Sequence, residues 1–180
     1  MLILGIDPGT ATTGYGIVKK EGDRTRAVAF GAIVTSSQDP PADRLMSIYD
    51  QVGRLMDEHG PDVLATERLF FAKNETTAFA VGRTVGVVLL AAAERGLPTV
   101  EYTPMEVKQA VVGYGGAEKK QIQYMVQRIL GLPRPPKPDD AADALAVCIC
   151  HAHSSTLRSL AGERQACHHE SAKETKARKG

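Results

Sequence analysis

The sequence has few cysteines, no long apolar run and almost no net charge. Its three cysteines, Cys148, Cys150 and Cys167, are too few for the disulfide framework of a small secreted protein. The longest apolar run, residues 85–93, is too short to span a membrane. Because Met1 leads directly into an apolar strand without a basic leader, we expect a cytoplasmic protein.

A net charge of +1 argues against a protein that is basic over its whole surface, as many nucleic-acid binders are. One stretch is nevertheless basic, since residues 104–137 contain six basic and two acidic side chains. The basic ones are Lys108, Lys119, Lys120, Arg128, Arg134 and Lys137. This stretch is either a local face for nucleic acid or, as is more frequent for such runs, a solvated helical surface.

The order of apolar patterns and turn signals predicts a mixed sheet with helices on its faces. The predicted strands cover residues 2–6, 13–19, 27–35, 62–67 and 99–102. The predicted helices cover residues 43–59, 76–95, 104–112, 117–130 and about 139–153, and Asp43 caps the first of them. A chain of 180 residues suits one domain. We assign residues 1–156 to it and expect the polar tail, residues 157–180, to be disordered.

Carboxylates stand where two of the predicted strands end: Asp7 follows the first strand and Glu67 ends the fourth. If these strands are parallel neighbours, both side chains lie at the sheet edge where α/β proteins bind ligands. The last predicted helix adds Asp140 and Asp143, with Asp139 four residues before Asp143, and either spacing puts two acids on one helix face. Each acid also has an ordinary structural explanation, as a turn residue or as a first-turn partner of the helix dipole.

Four carboxylates brought together would repel one another at neutral pH unless a cation offset their charge. Ligand sets made only of oxygen favour hard divalent ions such as Mg²⁺ or Mn²⁺. Two such ions about 3.5–4 Å apart are a common device for cleaving a phosphodiester bond. The four acids therefore predict a metal site that acts on nucleic acid.

The motifs along the chain resemble those of the bacterial Holliday junction resolvases of the RuvC family. The resemblance covers roughly residues 2–153 and rests on residues 5–10 (GIDPGT), 13–16 (TGYG), Glu67 with Phe70, 72–74 (AKN), 107–113 (VKQAVVG), 117–119 (AEK) and 140–145 (DAADAL). It implies an α/β fold of the ribonuclease H-like, retroviral-integrase type, with a mixed five-stranded sheet and helices on both faces. It also implies a homodimer that cleaves four-way DNA junctions with Mg²⁺ and works with the RuvA–RuvB branch-migration complex.

The resemblance also assigns roles to individual residues. The implied catalytic acids and metal ligands are Asp7, Glu67, Asp140 and Asp143, which would hold two Mg²⁺ ions, with Mn²⁺ able to substitute. The doubled acid Asp139-Asp140 departs from the pattern, and we choose Asp140 because the segment from it to Asp143 matches directly. The DNA contacts that the resemblance points to are Phe70, Lys108 and Lys119, and further candidates for phosphate are Lys73 and Lys120. We expect Phe70 to stack on bases and the adjacent Phe71 to pack in the core.

Three features have competing interpretations. The segment from Asp7 to Thr10 also matches the first phosphate loop of actin-like ATPases and sugar kinases, but those proteins need two domains. A protein that binds junctions without cleaving them is a second alternative. The presence of all four acids argues against it. Residues 148–153 (CICHAH) suggest zinc, yet Cys148 and Cys150 would point about 200° apart on a helix, so we expect buried thiols instead.

The helix predicted over residues 76–95 is the best candidate for a dimer interface. Gly82 and Gly86 lie four residues apart on one face, which permits close helix packing. Further apolar surface comes from Val81, Val85, Val88 and Leu89. The alternative is that this helix is simply buried in the core of one chain.

Overall fold

The computed structural model describes residues 1–68 and 75–155, the second range without the side chains of residues 75–77. The strands are β1 (Leu2–Asp7), β2 (Thr12–Glu21), β3 (Arg24–Val34), β4 (Val63–Glu67) and β5 (Thr99–Tyr102). The helices are α1 (Pro41–His59), α2 (Glu75–Glu94), α3 (Pro104–Val112), α4 (Lys119–Leu130) and α5, over residues 139–155. Within these ranges, every helix is too short or insufficiently apolar to cross a membrane.

The five strands form one sheet in the order β3-β2-β1-β4-β5. β2 pairs antiparallel with both β1 and β3, whereas β4 pairs parallel with both β1 and β5. Antiparallel neighbours need only a short turn, whereas parallel neighbours need a crossover, which α2 supplies between β4 and β5. The mixed five-stranded sheet of the α/β class is therefore confirmed.

Helices cover both faces of the sheet, as expected, because alternate residues of the central strands enter two separate cores. The first core joins β1 and β4 to α3, α4 and α5 through Ile3, Ala65, Val107, Val126 and Leu145. The second core joins the same strands to α1 and α2 through Leu4, Leu64, Ile48, Val52 and Val88. Both faces of β1 and β4 are thus buried, which holds the ends of these two strands in place.

Helix α2 is the predicted dimer interface, and only part of its apolar surface is buried within the single chain. Val85 and Val88 are buried, and Val88 belongs to the second core, so these two residues serve the single chain. Gly86 and Leu90 are exposed on the same helix. Phe79, near the start of α2, is 69% exposed. An apolar strip of α2 therefore remains uncovered within one chain.

Two predicted boundaries were wrong. The β2–β3 hairpin extends through most of residues 20–26, between the second and third predicted strands, because Gly22, at a φ of 58°, allows a tight turn between Glu21 and Arg24. Asp43 does not cap α1, which begins two residues earlier at Pro41. Proline suits the first helical position, since its fixed φ matches the helix and its missing N–H has no partner there anyway.

Glycines let α5 lie directly on the sheet. A Cβ on Gly5, in β1, would collide with the carbonyl oxygen of Ala144 and would lie 2.5 Å from Cys148 Sγ. A Cβ on Gly14, in β2, would collide with the backbone of Asp140. On the helix side the contact is made by small residues, since Ala144 is fully buried. The start of α5 is therefore held against the end of β1.

We predict that Gly5→Ala destabilises the fold by about 1–3 kcal/mol, because the added methyl group must push α5 away from β1. Urea denaturation measures this loss. Gly116→Ala is the matched control, because a Cβ there would meet its nearest atom, in Tyr114, at an ordinary 3.8 Å. Equal stability of the two variants would contradict the close contact between α5 and the sheet.

Candidate active site

Asp7 and Glu67 lie at the same edge of the sheet. Asp7 ends β1 and Glu67 ends β4, and these parallel strands pair in register, with Ile6 opposite Thr66. Both carboxylates therefore stand at the carboxyl ends of central, doubly buried strands. The predicted proximity of these two acids is confirmed by the strand pairing.

The first turns of α5 bring two more acids to this edge. Gly14, in β2, pairs with Asp7, in β1, and also lies against the backbone of Asp140. Asp140 is therefore close to Asp7. Asp143 follows one turn later on α5 and faces a pocket that Glu67 also lines. The structure thus gathers Asp7, Glu67, Asp140 and Asp143 from three separate elements.

The pKa values of three of these carboxyl groups are raised. Burial, together with the charges of Asp143, Glu67 and Asp140, raises the pKa of Asp7 to about 7. Burial and the charge of Asp143 also raise the pKa of Glu67. Burial raises the pKa of Asp143 in spite of the nearby ammonium group of Lys119. Negative charge is therefore unfavourable at this edge until a cation accompanies it.

Two of the predicted lysines lie at the same site. Lys119 Nζ, at the start of α4, is 3.1 Å from Asp143 Oδ2. Lys108, on α3, opposes the rise in the pKa of Glu67 through its positive charge. Both lysines line a pocket of about 250 Å³, whose walls are Glu67, Pro104, Val107, Lys108, Lys119, Ile122, Asp143 and Ala146. Sequence order alone could not have shown that these side chains face the carboxylates.

The doubled acid separates into two environments. Asp140 contributes to the raised pKa of Asp7, as a neighbour of that carboxylate would. Asp139 instead accepts a hydrogen bond from Lys137 Nζ at 2.9 Å. Hydrogen bonds from Lys137 and Gln123 lower the pKa of Asp139. This arrangement supports Asp140, rather than Asp139, as the third acid of the set. That assignment stays a prediction.

The donor set suits a hard divalent cation, because it consists of four carboxylates whose mutual repulsion such an ion would relieve. Among the side chains that the structure describes, in residues 1–68 and 78–155, no three acidic, histidine or cysteine side chains converge closely enough to enclose one ion as they stand. The carboxylate of Asp143 is turned toward Lys119. An ion that bound through Asp143 Oδ2 would displace the ammonium group of Lys119 from that oxygen.

The remaining sequence predictions have mixed outcomes. Phe70, Phe71, Lys73 and the predicted tail, residues 157–180, lie outside the described residues. Lys120 is exposed on α4, and its role stays a prediction. Cys148 and Cys150 are buried, and Cys148 Sγ donates to the carbonyl oxygen of Gly16 at 3.3 Å, so the expectation of buried thiols is confirmed.

Lys137 is a neighbour of the site that its place in the basic stretch did not predict. The available signal was the segment Lys137-Pro-Asp139, which places opposite charges two residues apart. The apolar walls of the pocket, Val107 and Ile122, were also missed, because their spacing is equally typical of ordinary core residues. Only the packing of α3 and α4 beside the sheet brings them to the pocket.

Comparisons with known proteins agree with this geometry. The family model described as "Crossover junction endodeoxyribonuclease RuvC" matches residues 3–151. The relative of that name from Syntrophomonas wolfei is 55% identical over 160 residues, which are 89% of this chain and 93% of the relative. The one from Pelotomaculum thermopropionicum is 55% identical over 156 residues, which are 87% and 95% of the two chains.

Solved structures give the same result. Thermus thermophilus RuvC is 38% identical, with a TM-score of 0.82 over 87% of this chain and 96% of that one. The same enzyme in complex with a Holliday junction substrate is 36% identical, with a TM-score of 0.81 and the same coverage. This likeness confirms the ribonuclease H-like fold. The chain belongs to the RuvC family of crossover junction endodeoxyribonucleases.

Proposed function

We propose that this protein resolves Holliday junctions during recombination and repair by nicking two symmetry-related strands, with metal ions held by Asp7, Glu67, Asp140 and Asp143. The observation that carries this proposal is the convergence of these four acids at one sheet edge in a chain of the RuvC family. A family structure in complex with a Holliday junction supports the choice of substrate. Neither an actin-like ATPase nor a non-catalytic binder is favoured by the comparisons.

We propose Mg²⁺ as the metal, two ions per site, with Mn²⁺ able to substitute. Bound between the carboxylates, such ions would activate the attacking water and stabilise the leaving 3′-oxygen, which yields 5′-phosphate ends. The strand ends and α5 bring the four carboxylates to one edge of the sheet, so the protein's own contribution is to gather these donors there, with Asp143 paired to Lys119 in the metal-free protein. Asp7 and Glu67 are half-buried, and this partial burial raises the pKa of each carboxyl group and so favours a cation beside it.

The basic residues around the pocket would hold the DNA. Lys108 and Lys119 line the pocket beside Glu67 and Asp143, where they would contact the scissile phosphate and offset charge that develops during cleavage. Lys73 and Lys120 would contact neighbouring phosphates. Phe70 would stack on bases at the junction centre, which is worth about 1–3 kcal/mol per base.

A homodimer supplies two such sites related by a two-fold axis, as resolution of a junction requires. The exposed strip of α2, with Gly86 and Leu90, supports this helix as the interface. A Cβ built at Gly86 meets no atom within 4 Å, so the single chain leaves that position open to a partner. Cooperation with the RuvA–RuvB complex follows from the family resemblance alone.

We predict that Asp7→Asn, Glu67→Gln, Asp140→Asn or Asp143→Asn abolishes cleavage of a synthetic four-way junction in Mg²⁺ while junction binding survives. Each change removes one metal ligand and leaves the basic residues in place. Denaturing gels measure the nicks and native gels measure binding. Asp139→Asn is the matched control, and at saturating Mg²⁺ it should retain cleavage. Nicking by Asp143→Asn at the wild-type rate would rule out the four-acid site.

We also predict that Asp7→Asn stabilises the metal-free protein at pH 8. The pKa of Asp7 rises from 3.8 to about 7 on folding, so the folded state loses stability as pH increases through that interval. Asparagine cannot ionise and escapes this loss, whereas near pH 4 the variant and the wild type should be alike. In a chain of this size each kcal/mol gained raises Tm by about 2–4 °C. A lower Tm for Asp7→Asn at pH 8 without metal would contradict the buried, like-charged site.

For the dimer, we predict that Gly86→Leu yields a folded monomer, because a Cβ there meets nothing in the single chain, whereas the larger side chain would hold a closely packed partner helix away. Gly82→Leu should act in the same way. Sedimentation reports the mass, and a cruciform plasmid reports the cutting, since unpaired nicks give open circles and paired nicks give linear DNA. Gln109→Leu, at an exposed position of α3 on the opposite face of the sheet, is the control and should stay dimeric. A monomeric wild type that gives only open circles would exclude paired cutting by a dimer.

A further inference from the structure

The ammonium group of Lys119 lies between two carboxylates of α5. Lys119 Nζ is 3.1 Å from Asp143 Oδ2 and 3.7 Å from Asp139 Oδ2. Its side chain crosses from the start of α4 to the first turns of α5, at the rim of the carboxylate site. One of its two partners belongs to the proposed metal ligands, and the other does not.

Asp139 has partners of its own besides Lys119. Lys137 Nζ donates to Asp139 Oδ1 at 2.9 Å, and the side chain of Gln123, on α4, donates a further hydrogen bond. The second oxygen of this carboxylate faces Lys119. Asp139 is thus an acceptor that is already oriented at the rim, on the first residue of α5.

Asp143 cannot direct the same oxygen fully to both Lys119 and a metal ion. If the ammonium stayed close when Asp143 turned to a divalent cation, the two positively charged groups would repel each other, and more strongly at the lower effective dielectric of a protein surface than in water. A second acceptor a short distance away removes this repulsion, because it gives the ammonium group another partner. Asp139 meets that requirement, since it is already within 4 Å of the ammonium.

We propose that Asp139 is a positioning residue that receives Lys119 when Asp143 turns to a metal ion. Lys119 offsets part of the negative charge, at Asp143, before the metal binds, then moves to Asp139 and remains at the rim, within reach of a DNA phosphate. This inference rests on the proposed metal site. It gives a role to Asp139, the first residue of the doubled acid. The motif begins at Asp140 and assigns no role to Asp139.

The proposal is tested by the binding of Mn²⁺ to the DNA-free protein, measured as loss of the free-ion electron paramagnetic resonance signal. Asp139→Asn should raise the half-saturating Mn²⁺ concentration by about threefold to tenfold, or about 0.6 to 1.4 kcal/mol. Asp139→Glu, which keeps the acceptor, should bind nearly as the wild type does. Lys119→Met should bind Mn²⁺ more tightly, although it cleaves poorly. Lys120→Met is the charge control for the binding measurement and should leave Mn²⁺ affinity unchanged.

A double-mutant cycle separates this role from the plain loss of a negative charge. In the Lys119→Met background, Asp139→Asn should have no further effect on Mn²⁺ binding, because there is no ammonium left to receive. Junction cleavage by Asp139→Asn should need more metal but reach the wild-type rate at saturation.

Several results would overturn the proposal. An equal loss of Mn²⁺ affinity with and without Lys119, or no loss in Asp139→Asn, would exclude this role while leaving the proposed function intact. A wild-type protein that binds no Mn²⁺, or a Glu67→Gln variant that binds it normally, would overturn the metal site itself and the inference with it.

Discussion

The close approach of α5 to the sheet is the constraint on which the rest of the site depends. Two of the four acids are on this helix, and the other two end the strands beside it. Gly5 and Gly14 make the approach possible, since a Cβ at either position would collide with the helix backbone. Because both faces of β1 and β4 are buried, the strand ends cannot move away to relieve the crowding of charge. The fold therefore forces the carboxylates together.

This crowding has an electrostatic cost that the chain offsets only in part. Burial and like charge raise the pKa of Asp7 to about 7, which is far from the usual range of an aspartate. Lys119 supplies one positive charge, at Asp143, and Lys108 another, near Glu67. A divalent ion would supply more charge at shorter range, so the same features that strain the metal-free protein favour metal binding.

The sequence predicted the parts of the site that depend on local signals. Strand ends at Asp7 and Glu67 could be read from apolar runs, and their proximity followed once the strands were taken as parallel neighbours. The partners of Lys119 could not be predicted, because they depend on how α4 packs beside α5. The start of α1 was misplaced because an acid was preferred as a cap over the proline that begins the helix. Periodicity gives the buried face of an element, but contacts between elements come from the tertiary packing.

The most direct measurement is anomalous diffraction at the manganese absorption edge from crystals soaked in Mn²⁺. The proposed two-ion site predicts two anomalous peaks about 3.5–4 Å apart, in contact with Asp7, Glu67, Asp140 and Asp143 at the end of β1. Asp143 should then have turned from Lys119 to the metal. Peaks confined to other parts of the surface, with Asp143 still paired to Lys119, would show that these four acids do not form the metal site.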